Sequence, residues 1–125
     1  MNGPKYLLDT NLVVGLLKGR PEAVNLRDRL QLDFANCAVS QITRMELLSY
    51  PKLQVDEERH IRAFVDSCAV VLLEEPVEIA AISLRRSTGA RLPDAIIAAS
   101  AKVKGLKLLT LDHDLERKLE KWLEV

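Results

Sequence analysis

Short apolar stretches that alternate with longer helical patterns are the feature that most limits how this chain can fold. The stretches carry almost no charge, and they are Tyr6–Leu8, Ala38–Val39, Val70–Leu73 and Leu108–Leu109. Strands of this composition are typical of a parallel sheet that is covered on both faces. Helical patterns between them imply right-handed crossover connections. The sequence therefore predicts an α/β fold, a central parallel sheet flanked by helices in a three-layer α/β/α sandwich.

Prolines and glycines mark the predicted helix ends. Three prolines suit first helical turns and three glycines suit the left-handed position after a helix. These residues are Pro21, Pro76, Pro93, Gly19, Gly89 and Gly105. Pro51 is expected to end the helix that carries Met45 to Leu48. Repeats and low-complexity linkers are absent, so residues 1–125 are expected to form a single domain.

Composition limits the classes of function. The 125 residues are 48% apolar, enough to bury a core without disulfides or structural metal. Eighteen basic residues balance eighteen acidic ones, so no overall field attracts nucleic acid or membrane. Cys37 and Cys68 lack CxxC spacing and are expected to be buried, reduced thiols rather than zinc ligands. No stretch approaches the roughly 18 apolar residues of a membrane span, which predicts a soluble cytoplasmic protein.

Four acidic residues follow short apolar stretches and are the candidate functional residues: Asp9, Glu46, Asp94 and Asp112. Two of them follow predicted strands and two lie near the starts of helices, so all can reach the crevice outside the carboxyl ends of the strands. Clustered carboxylates repel each other unless a cation neutralises them or some hold protons. The pattern therefore indicates a metal site.

Each acid also has a purely structural interpretation. Asp9 suits a helix N-cap, and Glu46 could close a capping box with Thr43. Asp94 would complement the N-terminal end of a helix macrodipole. A last group, Asp112, His113 and Asp114, could form a solvated turn, and Asp114 and His113 are the members expected at the surface.

Four segments resemble, in order, the acidic signatures of the PIN domain, and most closely those of VapC-type toxins from prokaryotic toxin–antitoxin pairs. The segments are Leu7–Asn11, Ser40–Leu47, Arg91–Ala101 and Leu108–Asp114. The third, with its proline, aspartate and helix of small residues, is the most specific. The resemblance extends from Tyr6 to Leu115, which is nearly the whole chain.

This resemblance implies a Mg²⁺- or Mn²⁺-dependent endoribonuclease. The positions that match its acidic quartet are Asp9, Glu46, Asp94 and Asp112. Asp114 stays open as an alternative metal ligand at the fourth position, because Leu115 stands where such toxins commonly carry phenylalanine. Supporting positions are Thr10 and Thr110, which match hydroxyl-bearing residues of the family, and Asn11 beside them.

The resemblance also implies partners, namely an RNA substrate, a cognate antitoxin protein and a second copy of the chain. A homodimer is further suggested by apolar residues beyond what one small sheet needs to cover, notably on the helix from Glu57 to Val65 and its neighbours. Because the net charge is zero, RNA must be held by local charge. Arg20, Arg44 and Arg91 are candidates for phosphate contacts, with ordinary solvated arginines as the alternative.

The proposed ligands are all carboxylates, which suit Mg²⁺ or Mn²⁺ rather than zinc. Asp9 and Asp94 are expected to be the principal ligands, with Glu46 and Asp112 holding metal-bound water or a second ion. Two alternatives stay open. A phosphatase of the haloacid dehalogenase type would need a second acid two residues after Asp9, where this chain has Asn11. A degenerate PIN domain would bind RNA or serve as a scaffold without cutting it.

Overall fold

The computed structural model describes residues 3–123, which contain four strands and seven helices, with two helices between each strand and the next. The strands are β1 (Tyr6–Leu8), β2 (Cys37–Ser40), β3 (Ala69–Val71) and β4 (Lys107–Leu109). The helices are α1 (Thr10–Leu17), α2 (Pro21–Leu30), α3 (Gln41–Leu48), α4 (Val55–Asp66), α5 (Glu75–Thr88), α6 (Leu92–Lys104) and α7 (His113–Leu123). A 3₁₀ turn at Phe34–Asn36 leads into β2.

The strands form one parallel sheet in the order β3-β2-β1-β4. In this order β1 lies between β2 and β4, with Leu7 opposite both Ala38 and Leu108. The carboxyl ends of β1 and β4 coincide, since Leu8 is paired with Leu109. The segments that leave these two strands therefore meet at one edge of the sheet.

Helices cover both faces of this sheet. Leu7 faces a core that includes residues of α5, α6 and α7, whereas Leu8 on the opposite face packs with residues of α1, α2, α3 and α4. Side chains alternate between the two faces of a strand, so two successive buried leucines require two covered faces. The predicted three-layer sandwich is confirmed.

The prolines and glycines at the helix ends also agree with the prediction. Each of the three prolines lies in the first turn of a helix, and the three glycines adopt φ values of +65 to +71° at or just after helix ends. The helix before Pro51 ends at Leu48 as expected.

The predicted strand Val70–Leu73 was too long at its carboxyl end. It ends at Val71, and both Leu72 and Leu73 are exposed. Its neighbour β2 ends at Ser40, which pairs with Val71, so no strand continues beside Leu72. The amide of Leu73 instead donates to the Gln41 side chain, at 2.8 Å.

The apolar residues of Glu57–Val65 are largely used within the chain. Ile61 and Val65 are buried, and Phe64 packs on Phe34 with ring centroids 4.8 Å apart. Exposed isoleucines lie instead on α5, at Ile79 and Ile82. Exposed apolar surface is therefore present on α5, and on α4 itself Val55, just outside Glu57–Val65, is 74% exposed.

Both cysteines are free thiols. Cys37 is buried and Cys68 is partly buried, and burial raises the pKa of Cys37 to about 11. Within residues 3–123, no helix combines the length and apolar character needed to cross a membrane.

Candidate active site

Asp9 lies at the centre of the site, where β1 ends and α1 begins. Its side chain is almost wholly buried, at 4% exposure. One carboxylate oxygen accepts the amide of Thr10 at 2.8 Å, and the other accepts the hydroxyl of Thr110 at 2.7 Å. Asp9 is thus the N-cap of α1, as one interpretation predicted, but its second hydrogen bond ties it to the end of β4.

Asn11 and Thr110 hold the chain after β4 against the start of α1. Asn11 Oδ1 accepts the amide of Leu111 at 3.1 Å, and its Nδ2 donates to Thr110 Oγ1 at 3.3 Å. Thr110 Oγ1 also accepts the amide of Asp112 at 3.0 Å. A hydroxyl has one proton to donate, and here its short bond to Asp9 takes that proton. Asn11 therefore has a positioning role and cannot serve as a second acid.

Thr10 reaches across to α3. Its hydroxyl donates to Glu46 Oε1 at 2.8 Å and lies 2.8 Å from the hydroxyl of Thr43. Because the single Thr10 proton goes to Glu46, Thr43 must be the donor in the second bond. The Thr43 hydroxyl thus donates to Thr10, and the Thr10 hydroxyl donates to Glu46. This chain of hydrogen bonds fixes the orientation of the Glu46 carboxylate.

The capping box that Thr43 and Glu46 were suggested to form is wrong. Helix α3 begins one turn earlier, with Ser40 as its N-cap accepting the amide of Ile42 at 3.2 Å. Thr43 lies inside the helix and is fully buried. Sequence reasoning missed it as a site residue because the same three-residue spacing that suggests a cap also places two side chains on one helix face.

Asp94 is in the first turn of α6 and pairs with Arg91, the N-cap residue of that helix. Arg91 Nε lies 3.2 Å from one Asp94 oxygen, and Nη2 lies 3.4 Å from the other. The Asp94 side chain is 18% exposed, whereas that of Arg91 is 79% exposed. Asp94 therefore faces the crevice, and Arg91 covers it from the solvent side.

Electrostatic effects show that three of the four acids share one environment. The pKa of Asp9 is raised, first by burial and further by the negative charges of Asp94 and Glu46, against the lowering effect of its two hydrogen bonds. The pKa of Arg91 is raised, chiefly by its hydrogen bonds to Asp94 and the charge of that residue, with smaller effects from Glu46 and Asp9. Excess negative charge is thus concentrated between β1, α3 and α6.

The fourth acidic position is more peripheral. Asp112 is exposed and accepts the amide of Leu115 at 3.0 Å, which is the geometry of an N-cap for α7. Asp114 is also exposed and pairs with Arg117 on the same helix. His113 lies at the surface beside Glu116, as expected for a turn residue.

Among the three candidate phosphate contacts, Arg91 is the one in contact with a site acid. Arg44 is half-buried on α3, next to Thr43. Arg20 is the N-cap of α2 and lies beside the middle of α1, where its amide donates to the carbonyl oxygen of Gly15 at 2.8 Å.

The donors of this site suit a hard divalent cation. They are carboxylate and hydroxyl oxygens, and the buried Asp9 carboxylate lies near two further carboxylates whose charges raise its pKa. In the part of the chain that the structure describes, however, no three His, Cys, Asp or Glu side chains converge tightly enough to ligate an ion together. Cation binding would thus require side-chain movement, above all of the Arg91–Asp94 pair.

Comparison with known proteins agrees with this architecture. The curated tRNA(fMet)-specific endonuclease VapC of Salmonella typhimurium is 28% identical over 131 aligned residues, which cover 94% of this chain and 98% of that protein.

Solved structures match the fold at similar identity. A toxin–antitoxin complex from Klebsiella pneumoniae superposes with a TM-score of 0.77 at 28% identity, covering 90% of each chain. DNA-bound VapBC from Salmonella typhimurium superposes with a TM-score of 0.75 at 26% identity, covering 94% of this chain and 91% of that one. The sequence model of the PIN domain matches residues 6–120, a span that contains every strand and each candidate acid. With this match across nearly its whole length, the chain belongs to the PIN domain family.

Proposed function

We propose that this chain is a divalent-metal-dependent endoribonuclease and the toxin of a toxin–antitoxin pair. The observation that carries the proposal is the buried Asp9 carboxylate, hydrogen-bonded by Thr110 and lying beside Glu46 and Asp94. A buried carboxylate among like charges is costly unless a cation compensates it. Membership of the PIN family and the similarity to an endonuclease support the same activity.

We assign Asp9 and Asp94 as the principal cation ligands. Glu46 and Asp112 would hold metal-bound water or a second ion, and Asp114 is the alternative to Asp112. A bound Mg²⁺ or Mn²⁺ would supply Lewis-acid chemistry to the phosphodiester bond. The protein itself holds the carboxylates in position. Thr110 and the Thr10 amide fix both oxygens of Asp9, and the Thr10 hydroxyl fixes Glu46.

RNA is the substrate we propose, and this implies action in the cytoplasm. The relative from Salmonella typhimurium is named for one transfer RNA, but the residues of this chain that would choose among RNAs are not defined by the acidic site.

We further propose that residues 1–125 act as a single domain. A cognate antitoxin is proposed because the structural relatives from Klebsiella pneumoniae and Salmonella typhimurium are a toxin–antitoxin complex and a VapBC complex.

A homodimer is also proposed, and α5 is the surface that supports it. Ile79 and Ile82 are 61% and 48% exposed at the middle of this helix. Its first turn carries acidic Glu75 and Glu78, and its last turn carries basic Arg85 and Arg86. Two copies that pack α5 antiparallel would bury the isoleucines and oppose the unlike charges.

Metal-dependent cleavage of RNA by the purified chain is the direct test of the nuclease proposal. Wild type should cut single-stranded RNA with Mn²⁺ and stop when EDTA is added. Asp9→Asn and Asp94→Asn should lose cleavage. Asp66→Asn is a matched control, because this exposed residue precedes β3 and so lies at the opposite edge of the sheet. RNA binding without cleavage by wild type in Mn²⁺ would support the degenerate alternative instead.

Melting curves of Asp94→Asn add an independent criterion. If Asp94 serves a cation, the variant should be about as stable as wild type in EDTA and should gain less from added Mn²⁺. If Asp94 merely complements the helix macrodipole, the variant should lose roughly 0.3–1 kcal/mol and stay active.

A further inference from the structure

Arg91 is bound to the acidic site through both oxygens of Asp94. The two contacts, from Nε and Nη2, engage a different oxygen each. A cation that uses Asp94 must compete with the guanidinium for at least one of these oxygens. Asp94 is a cation ligand only under the proposed function, so a counter-ion role for Arg91 rests on that function.

The Arg91 guanidinium also interacts electrostatically with acids other than Asp94. Its pKa is raised by Glu46 and Asp9 as well as by Asp94, so the guanidinium lies within the field of all three acids. These are the acids with the strongest case for holding a cation. Arg91 thus supplies positive charge where a divalent cation would supply it.

The Arg91 side chain is also free to move away from Asp94. Its backbone is fixed as the N-cap of α6, where its carbonyl oxygen accepts the amide of Ala95 at 2.9 Å. Its side chain, in contrast, is 79% exposed, and an ion pair in contact with water is weak. The guanidinium can therefore swing out while the backbone stays in place, which frees the Asp94 carboxylate to turn toward a cation.

We propose that Arg91 is an internal counter-ion that holds Asp94 until a divalent cation displaces it, and that the released guanidinium then binds an RNA phosphate. A planar guanidinium presents paired donors that match a phosphate as well as they match a carboxylate. Cation binding would expose this phosphate contact beside the site. Cation and RNA would then bind cooperatively, although their direct contacts differ.

Calorimetric titration with Mn²⁺ alone tests the first half of this proposal. Arg91→Gln should bind Mn²⁺ about 1.5- to 5-fold more tightly than wild type, the range expected when an exposed ion pair no longer competes. Arg91→Lys keeps the charge without the paired donors and should fall between the two. Arg29→Gln, which removes an exposed arginine from α2, should leave the Mn²⁺ affinity unchanged.

Steady-state cleavage at saturating Mn²⁺ tests the second half. Arg91→Gln should raise KM for RNA while kcat changes little, and the rise should shrink as salt screens the phosphate contact. Equal Mn²⁺ affinities of wild type and Arg91→Gln would overturn the counter-ion role and leave the cation site intact. An unchanged KM would overturn the transfer to phosphate. Failure of both proteins to bind Mn²⁺ would instead refute the proposed function, and the counter-ion role with it.

Discussion

Thr43 and Glu46 lie one turn apart on the same face of α3, and the hydroxyl of Thr10 joins them through two 2.8 Å hydrogen bonds. Thr43 is fully buried, whereas Glu46 is half-buried at the crevice. The wholly buried Thr43 thus acts through Thr10 on the orientation of the Glu46 carboxylate, which is proposed to be catalytic.

Replacing Thr43 should therefore affect catalysis through position. Thr43→Val keeps the shape but removes the donor, so Thr10 can rotate and Glu46 is held less firmly. We expect kcat to fall roughly ten-fold, since small displacements of reacting groups are costly. The lost hydrogen bond should cost about 0.5–1.5 kcal/mol of unfolding free energy. Thr43→Ser keeps the donor and is the control, and equal kcat values for the Val and Ser variants would contradict the positioning role.

Substitutions at Asp112 can separate its cap from its proposed role as the fourth acid. Asp112→Ala should lose the hydrogen bond to the Leu115 amide and about 1 kcal/mol of stability. Asp112→Asn should keep most of this stability, because asparagine is an equally good N-cap, and should lose cleavage if the negative charge is needed. Urea denaturation and RNA cleavage measure the two effects.

Asp114→Asn completes that comparison. Asp114 is exposed and its pair with Arg117 is a surface pair, which contributes little to stability. This variant should be nearly as stable and as active as wild type. Loss of cleavage in Asp114→Asn, with activity kept in Asp112→Asn, would move the fourth acidic position to Asp114.

Close packing of α1 on α2 makes Gly15 intolerant of a side chain. A Cβ at this position would lie 2.8 Å from the Cβ of Ala23 and 3.3 Å from Leu111 Cδ1. The clash should outweigh the higher helix propensity of alanine, and we expect Gly15→Ala to lose about 1–2 kcal/mol of unfolding free energy.

Two further variants check the cause of that loss. Gly3→Ala has no atom within 4 Å of the new Cβ and should be neutral. In the double variant Gly15→Ala/Ala23→Gly the two substitutions should couple favourably, since the contacting Cβ is removed. Additive losses would show that the Ala23 contact is not the cause.

The placement of the site could be predicted from the sequence because it depends on the backbone. Asp9 directly follows a charge-free apolar run, and such a run between helical patterns indicates a parallel strand. Once β1 and β4 are neighbours, their carboxyl ends must meet, and so must the segments that leave them. The length of the third strand was not predictable in the same way. Val71 ends it because β2 ends at Ser40, and the apolar character of Leu72 and Leu73 carries no information about that neighbour.

Side-chain partners were harder to predict than backbone placement. Thr43 and Glu46 have the spacing of a capping box and equally that of one helix face, and only the start of α3 at Gln41 decides between them. Arg91 was a candidate for a phosphate contact, which stays a prediction, and its pairing with Asp94 was not foreseen. The spacing of these two residues, three apart across a helix start, was the available signal for an ion pair.

Stability at alkaline pH should report the buried thiol of Cys37. Burial is the largest cause that raises its pKa, from 9.0 to about 11. Between these values the unfolded chain releases the thiol proton while the folded chain keeps it, so the unfolded state gains stability and the free energy of unfolding falls. The favourable contribution is fully present below pH 9 and is lost as the pH rises to about 11. Cys37→Ala should lack this loss, although its cavity lowers stability at every pH.

The difference in unfolding free energy between wild type and Cys37→Ala, measured by urea denaturation in EDTA with a reducing agent, should therefore shrink from about pH 8.5 to about pH 11. Comparing two proteins at each pH removes the effects of the lysines and tyrosines that titrate in the same range, since both proteins share them. A difference that stays constant over this range would show that Cys37 ionises as readily in the folded chain as in the unfolded one.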